Sequence, residues 1–321
     1  MIFLREGGTK VIRVKTVNFM GEQMSKRLLL RLGTTCNNGC HHCTIRDLRG
    51  VHEDRSTLRV FESLEAGRKS GAFEVAFLRG EPTIRPDFLR IIRRARDLGY
   101  GLVQIQTNGR MFATPGFTRE ATAAGMTHAE VSYYGPDPSI HDEIARVEGA
   151  HQETTQGIRK LAMEGILCHV NIPLLPGNIH NLATMLEQLE GWGVERVQLN
   201  LTRPTANPQG SYPELLSLSE AIEPVKEAIS HGIDLDINVG TEGIPLCLLG
   251  EWEHVAGDTF PPNSLVRIDD LHRVTEDLIP LREEYRPFPP LCDGCSGKDR
   301  CPGTWRNLLP PEPSSLLRPM P

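Results

Sequence analysis

Short apolar runs alternate with longer amphipathic stretches across most of this chain, and that alternation limits its possible folds more than any other feature. Residues 27–33 (RLLLRLG), 74–78 (EVAFL), 101–107, 128–134, 166–173, 195–201 and 233–239 have the length and aliphatic content of buried strands. Helical periods stand between them at 57–70 after Ser56, 86–98 before Gly99, 117–124 before Gly125, 152–164 before Gly165, 179–190 and 214–230. Small polar N-caps, proline in a first turn and glycine just past the end mark their limits. Repeated strand–helix units require a parallel sheet with helices outside it. So many units in about 230 residues suit an α/β partial (β/α)6 TIM-like barrel, with a two-sided open sheet as the alternative.

Around this block, residues 27–240, the sequence changes character. Residues 1–26 read as an N-terminal extension with a hairpin over 10–18. Residues 241–309 are rich in proline and charge, have a helical period only over 267–281, and form a small lobe that needs a staple. Residues 310–321 are rich in proline and serine and read as a disordered tail. The 321 residues carry 35 basic and 41 acidic side chains, a formal charge of −6. That balance disfavours wide nucleic-acid contact. Arg90, Arg93, Arg94 and Arg96 fall on one helix side, either as a solvated face or as a local basic patch. No apolar run nears the ~18 residues of a membrane span, and residues 1–10 are too charged for a signal peptide, so a cytoplasmic location is expected.

Eight cysteines divide into Cys36, Cys40 and Cys43; Cys247 with Cys292, Cys295 and Cys301; and Cys168. A large α/β chain of cytosolic type does not call for disulfide staples, so clustered thiols read as metal ligands. The first set is C-x3-C-x2-C on a loop just after the first strand, with Gly39 at its turn. Three thiolates so spaced can hold three irons of a cubane and leave the fourth iron open. With His41 or His42 as a fourth ligand they can hold zinc. The second set offers four thiolates, enough to saturate a 4Fe–4S cluster or bind one zinc. Strand alternation turns Cys168 toward the helices as a structural thiol if Asn171 and His169 face inward; a hydrogen-donor role needs the opposite phase.

The cysteine loop, followed by Arg79-Gly80-Glu81-Pro82, Gln106-Thr107-Asn108-Gly109, Ser132 and Arg146 in order, resembles the radical S-adenosylmethionine superfamily over residues 28–205. The resemblance implies a 4Fe–4S cluster whose open iron chelates S-adenosylmethionine, which is cleaved reductively to a 5′-deoxyadenosyl radical. It implies an adenine contact at His42, where the family usually has an aromatic residue. It implies a methionine contact at Gly80 and Glu81, the family's first glycine being Arg79 here. Thr107 and Asn108, Ser132 (ribose), Arg146 (carboxylate), Asn171 and the backbone near Leu199 complete the expected cofactor set. The C-terminal cysteines resemble the auxiliary-cluster lobes of SPASM and twitch enzymes, which implies a second 4Fe–4S cluster, with zinc as the alternative. Expected partners are an electron donor such as flavodoxin or ferredoxin, and a peptide or small-molecule substrate. With only 26 residues ahead of the barrel, any leader-peptide-binding module is expected as a separate protein. The expected reaction is peptide oxidation or crosslinking; small-molecule chemistry, RNA modification and a non-enzymatic iron–sulfur or zinc protein are the alternatives.

Overall fold

A computed structural model describes residues 4–6, 9–11, 26–203, 215–257, 266–270, 274–275 and 285–320. A hairpin, β1 (Leu4–Glu6) against β2 (Thr9–Val11), stands apart from the main sheet. It precedes the span expected for a hairpin, of which residues 12–18 lie outside the described residues.

The main sheet runs β11-β10-β3-β4-β5-β6-β7-β8-β9. Seven strands follow each other in sequence, all parallel: β3 (Lys26–Arg31), β4 (Ala72–Leu78), β5 (Leu102–Thr107), β6 (His128–Ser132), β7 (Leu167–Leu174), β8 (Arg196–Leu201) and β9 (Asn238–Glu242). The helices α1 (Thr57–Lys69), α2 (Phe88–Asp97), α3 (Phe117–Ala124), α4 (Pro138–Ala145), α5 (Ala150–Met163), α6 (Leu182–Gly191) and α7 (Leu218–Asp234) connect them. Among the described residues β9 does not pair with the opposite edge, so the barrel is open. The outward face of each strand builds the core: Leu28 and Leu30, Val75 and Phe77, Val103 and Ile105, Ala129 and Val131, Val170 and Ile172, Val197 and Leu199 are buried against the helices. Cys168 belongs to this layer, and burial pushes its thiol up to about 12. That is the environment of a structural cysteine. The inner face is polar; Glu130, raised by burial, accepts from Gln104 at 2.8 Å and Gln106 at 3.2 Å.

Several expected boundaries move. Helix α2 starts at Phe88 rather than in its proline, and α1 is capped as expected, Ser56 Oγ accepting from Arg59 N–H. The arginines of α2 are not a free basic patch: Arg94 pairs with Glu65, Arg96 with Asp97, and Arg90 lies over Phe61. Helix α7 runs through Asp234 with Pro224 inside it, so the strand expected at 233–239 begins only at Asn238. Ile233 packs on the core from that helix, and Asp236 turns the chain with a φ of 62°. Helix α4 was not anticipated.

Two corrections concern the C-terminal part. The helical period expected over 267–281 is overridden where it is described: Val266–Asp269 is strand β10, parallel to β3 and antiparallel to β11 (Val274–Thr275), while residues 271–273 and 276–281 lie outside the described residues. Arg55 anchors it, pairing with Asp269 at 2.5 Å where both side chains are largely covered. The segment expected as a disordered tail is folded, with a short turn at Pro313–Ser315 and Leu317 only 3% exposed. The sequence-local pattern missed both because their partners lie far away along the chain.

Candidate active site

The loop after β3 is tied down by its neighbours. Thr34 N–H and Thr35 N–H donate to Asp54 Oδ1 at 2.7 and 3.1 Å. Asn108 Nδ2 donates to Asn37 Oδ1 at 2.7 Å, and Arg110 Nη1 reaches Asn37 O and Asn38 Oδ1 at 2.7 and 2.8 Å. Gly39 N–H donates to Ala145 O at 2.9 Å, fixing the loop to the end of α4. Gly80 has a φ of 61°, and a Cβ there would stand 2.4 Å from Thr35 O; only glycine permits that approach.

Glu81 joins the strand ends. Its carboxylate is 2% exposed and accepts from Thr83 N–H and Oγ1 at 3.1 and 2.5 Å, Thr107 Oγ1 at 2.8 Å and Asn108 N–H at 2.7 Å. Burial raises its pKa although these bonds favour the charged form. Glu81 is thus a structural hub as well as a wall of the site.

Cys36, Cys40, Cys43, His42, Gly80, Glu81, Thr107, Asn108, Ser132 and Asn171 all line one cavity of about 380 Å³ at the C-terminal ends of the strands. One expected contact is corrected. Arg146 is exposed, ends α4 with a φ of 59°, packs by its Cβ beside Gly39 and is not among the residues lining the cavity. The Leu199 side chain is fully buried in the core, and its neighbour Asn200, with Thr202 just past the strand, lines the cavity beside the backbone expected there. His169 stays on the inner face near His128, away from the lining, and burial lowers it to about 4.

Sequence reading missed several lining residues, Tyr134, Arg49, Arg203 and Trp305 among them. Tyr134 is buried and takes a hydrogen bond from Cys40 Sγ at 3.5 Å, with His42 edge-on to its ring at 5.2 Å. Arg49 donates to Cys43 Sγ at 3.5 Å and to Asn38 O at 2.5 Å. Arg203 and Trp305 close the cavity from β8 and the C-terminal lobe. Only Tyr134, two residues past Ser132, carried a local signal.

The thiols fit an inorganic cluster chemically. Burial pushes Cys40 up to about 11 and raises Cys36. Thiolates here therefore need a cation beside them. Asn38 Nδ2 and His42 Nδ1, both of lining residues, are buried without a hydrogen-bond partner, as expected of atoms that meet a bound group. Among the described residues no three His, Cys, Asp or Glu side chains close on the point of a single metal ion.

The second thiol set is also assembled. Cys247, just past β9, comes together with Cys292, Cys295 and Cys301 around one apolar cavity of about 30 Å³. Burial and mutual repulsion push Cys292 up to about 11 and raise Cys247. Thr304, whose Oγ1 is buried without a partner, lines this cavity, while the next residue, Trp305, lines the barrel cavity.

Comparison with known proteins agrees with this geometry. Residues 30–189 match the family model of the radical SAM superfamily. The chain is 25% identical over 201 residues to the AdoMet-dependent heme synthase of Nitratidesulfovibrio vulgaris, covering 62% of this chain and 54% of that protein. It is 23% identical over 300 residues to the PqqA peptide cyclase of Xanthomonas campestris, covering 85% and 79%. Among solved structures, anSMEcpe with bound AdoMet and the Cp18Cys peptide superposes with a TM-score of 0.65 at 13% identity, over 92% of this chain and 93% of that one. The chain thus spans about half the length of the heme synthase and most of the other two, and the structural likeness establishes the fold. With the family domain matched, its cysteine loop built at the barrel mouth and relatives of the same family on either side, the chain belongs to the radical SAM superfamily.

Proposed function

We propose that this protein is a radical S-adenosylmethionine enzyme that oxidises or crosslinks a ribosomally made peptide, with a second metal centre in its C-terminal lobe. The observation that carries the reading is the convergence of three cysteines, His42 of their loop and six strand-end residues on one cavity, with four further cysteines around a neighbouring one. Bound there, a 4Fe–4S cluster and S-adenosylmethionine would supply a radical able to take a hydrogen atom from a substrate C–H bond.

The chain's own groups hold and orient these partners. Cys36, Cys40 and Cys43 would ligate the cluster, and Arg49 and the Asn38 N–H would stabilise sulfur charge. Gly80, Glu81, Thr107, Asn108, Ser132 and Asn171 offer the polar surface for methionine and ribose, and His42 and Tyr134 the flat surface beside adenine. Cys247, Cys292, Cys295 and Cys301 would hold a second 4Fe–4S cluster, whose place beside Trp305 suits an acceptor for the second electron of a net oxidation. The peptide reading draws on the peptide cyclase match over most of the chain and on the peptide seated in the superposed structure. A cytoplasmic setting would supply a flavodoxin or ferredoxin as reductant, and a separate protein could present a leader peptide. A single zinc held by the same four thiolates is the second reading of the C-terminal site.

Anaerobic reconstitution followed by iron, sulfide and zinc counts tests both centres. About eight iron per chain supports two clusters, and about four iron with one zinc supports the second reading. Replacing Cys36, Cys40 and Cys43 together by Ala is expected to abolish S-adenosylmethionine cleavage while the C-terminal metal remains. Cleavage that survives the triple change would sink the proposed chemistry.

A further inference from the structure

The barrel cavity continues past the strand-end residues to a wall made of Arg79, Asn200, Thr202, Arg203, Glu242 and Trp305. All of these except Arg79 lie beyond residue 189, where the match to the superfamily ends. The charge of this wall is uneven. The Glu242 carboxylate accepts from Asn200 Nδ2 at 2.8 Å and pairs with Arg286 at 3.3 Å, so its charge is met.

The two lining guanidinium groups are not met in this way. Neither Arg79 nor Arg203 has a hydrogen bond or ion pair among the described residues. Arg203 lies flat over the Tyr285 ring at 3.8 Å and beside Trp305 at 5.8 Å, which fixes its plane and leaves its N–H edge unused. Arg79 is half-buried and holds a φ of 68°, a conformation that L side chains rarely adopt. Burial lowers its pKa, and Arg31 and Arg203 lower it further; Asp270, which opposes them, already pairs with Arg31. Two like charges that line one cavity and repel each other there are unfavourable unless an anion meets them.

We propose that Arg79 and Arg203 bind a carboxylate of the substrate, so that the substrate is a peptide presenting an Asp or Glu side chain to the barrel mouth. The proposal rests on the peptide-modifying reading above. A planar carboxylate matches the forked N–H geometry of arginine and would register the neighbouring C–H bonds against the site. Trp305 supplies an apolar surface for whatever follows the carboxylate.

A retention experiment tests it on the reconstituted enzyme with S-adenosylmethionine bound. Two pools of acetylated, amidated hexapeptides serve as probes, one containing Asp and Glu and the other containing Asn and Gln at the same positions. The acidic pool is expected to be retained at least fivefold better, and Arg79→Gly and Arg203→Gln are each expected to remove the difference. Arg79→Gly relieves the left-handed backbone, so loss of fold does not explain its effect. Equal retention of the two pools by the wild-type protein would overturn the proposal. So would an intact peptide preference in the variants with S-adenosylmethionine affinity reduced tenfold, which would assign the pair to the cofactor's own carboxylate. Failure of the enzyme to cleave S-adenosylmethionine at all would instead count against the proposed function.

Discussion

Single residues in this protein carry several constraints at once, and Glu81 shows how. The sequence marks it as a cofactor wall; the structure adds four hydrogen bonds that hold the second and third strand ends in register. Its removal leaves buried donors at Thr83, Thr107 and Asn108 without an acceptor. Glu81→Ala is expected to cost about 3 kcal/mol, read as a lower urea midpoint of the metal-free protein. Glu81→Gln should cost less, because one carbonyl oxygen remains to accept. Arg146 teaches the reverse. Its position downstream of Ser132 matched the resemblance, but an unread helix carried it past the cavity and ended on it in a left-handed turn. Spacing along a chain fixes a side chain's place only when the elements between are known.

Elements differ in how much of themselves they announce. Helices α1 and α3 begin where the sequence says, because a serine cap or a glycine turn is a local device. Strand β10 could not be read so: its residues become a strand by pairing with β3, more than two hundred positions earlier. The segment 310–320 is a second case. Proline and serine gave it the look of disorder, yet Leu317, Pro319 and Met320 line the four-cysteine cavity. Met320 N–H donates to Cys295 Sγ at 3.2 Å, and the Arg318 backbone N–H favours the Cys247 thiolate. Hydrogen bonds to sulfur steady a metal–thiolate centre. Met320→Pro removes that donor and is expected to speed metal loss from the C-terminal site to a chelator several-fold. Met320→Leu keeps the N–H and is expected to release metal at the wild-type rate. Equal rates for both variants would show that the segment covers the site without bonding to it.

At the scale of the whole molecule, stability is unevenly distributed. The barrel core is continuous from Leu28 to Val239, whereas the described lobe contributes few buried apolar side chains, chiefly Ile244, Leu246, Leu248, Leu249 and Leu317. A lobe so poor in core would depend on the metal proposed for its thiols. Stripping metal anaerobically is therefore expected to expose the lobe to limited proteolysis while a fragment containing residues 27–200 stays protected, as mass spectrometry of the products would show. Early cuts within the barrel would contradict this division. The sequence by itself determined the parallel α/β scaffold, the division of the cysteines and most of the strand-end residues, since period, turn chemistry and short spacings are local properties. Only the tertiary structure decided that β10 joins the sheet, that Arg203 and Trp305 complete the cavity, and that four distant cysteines and the last residues close on one another. Those contacts span long stretches of chain, so their energy comes from burial and pairing between segments that carry no local trace of each other.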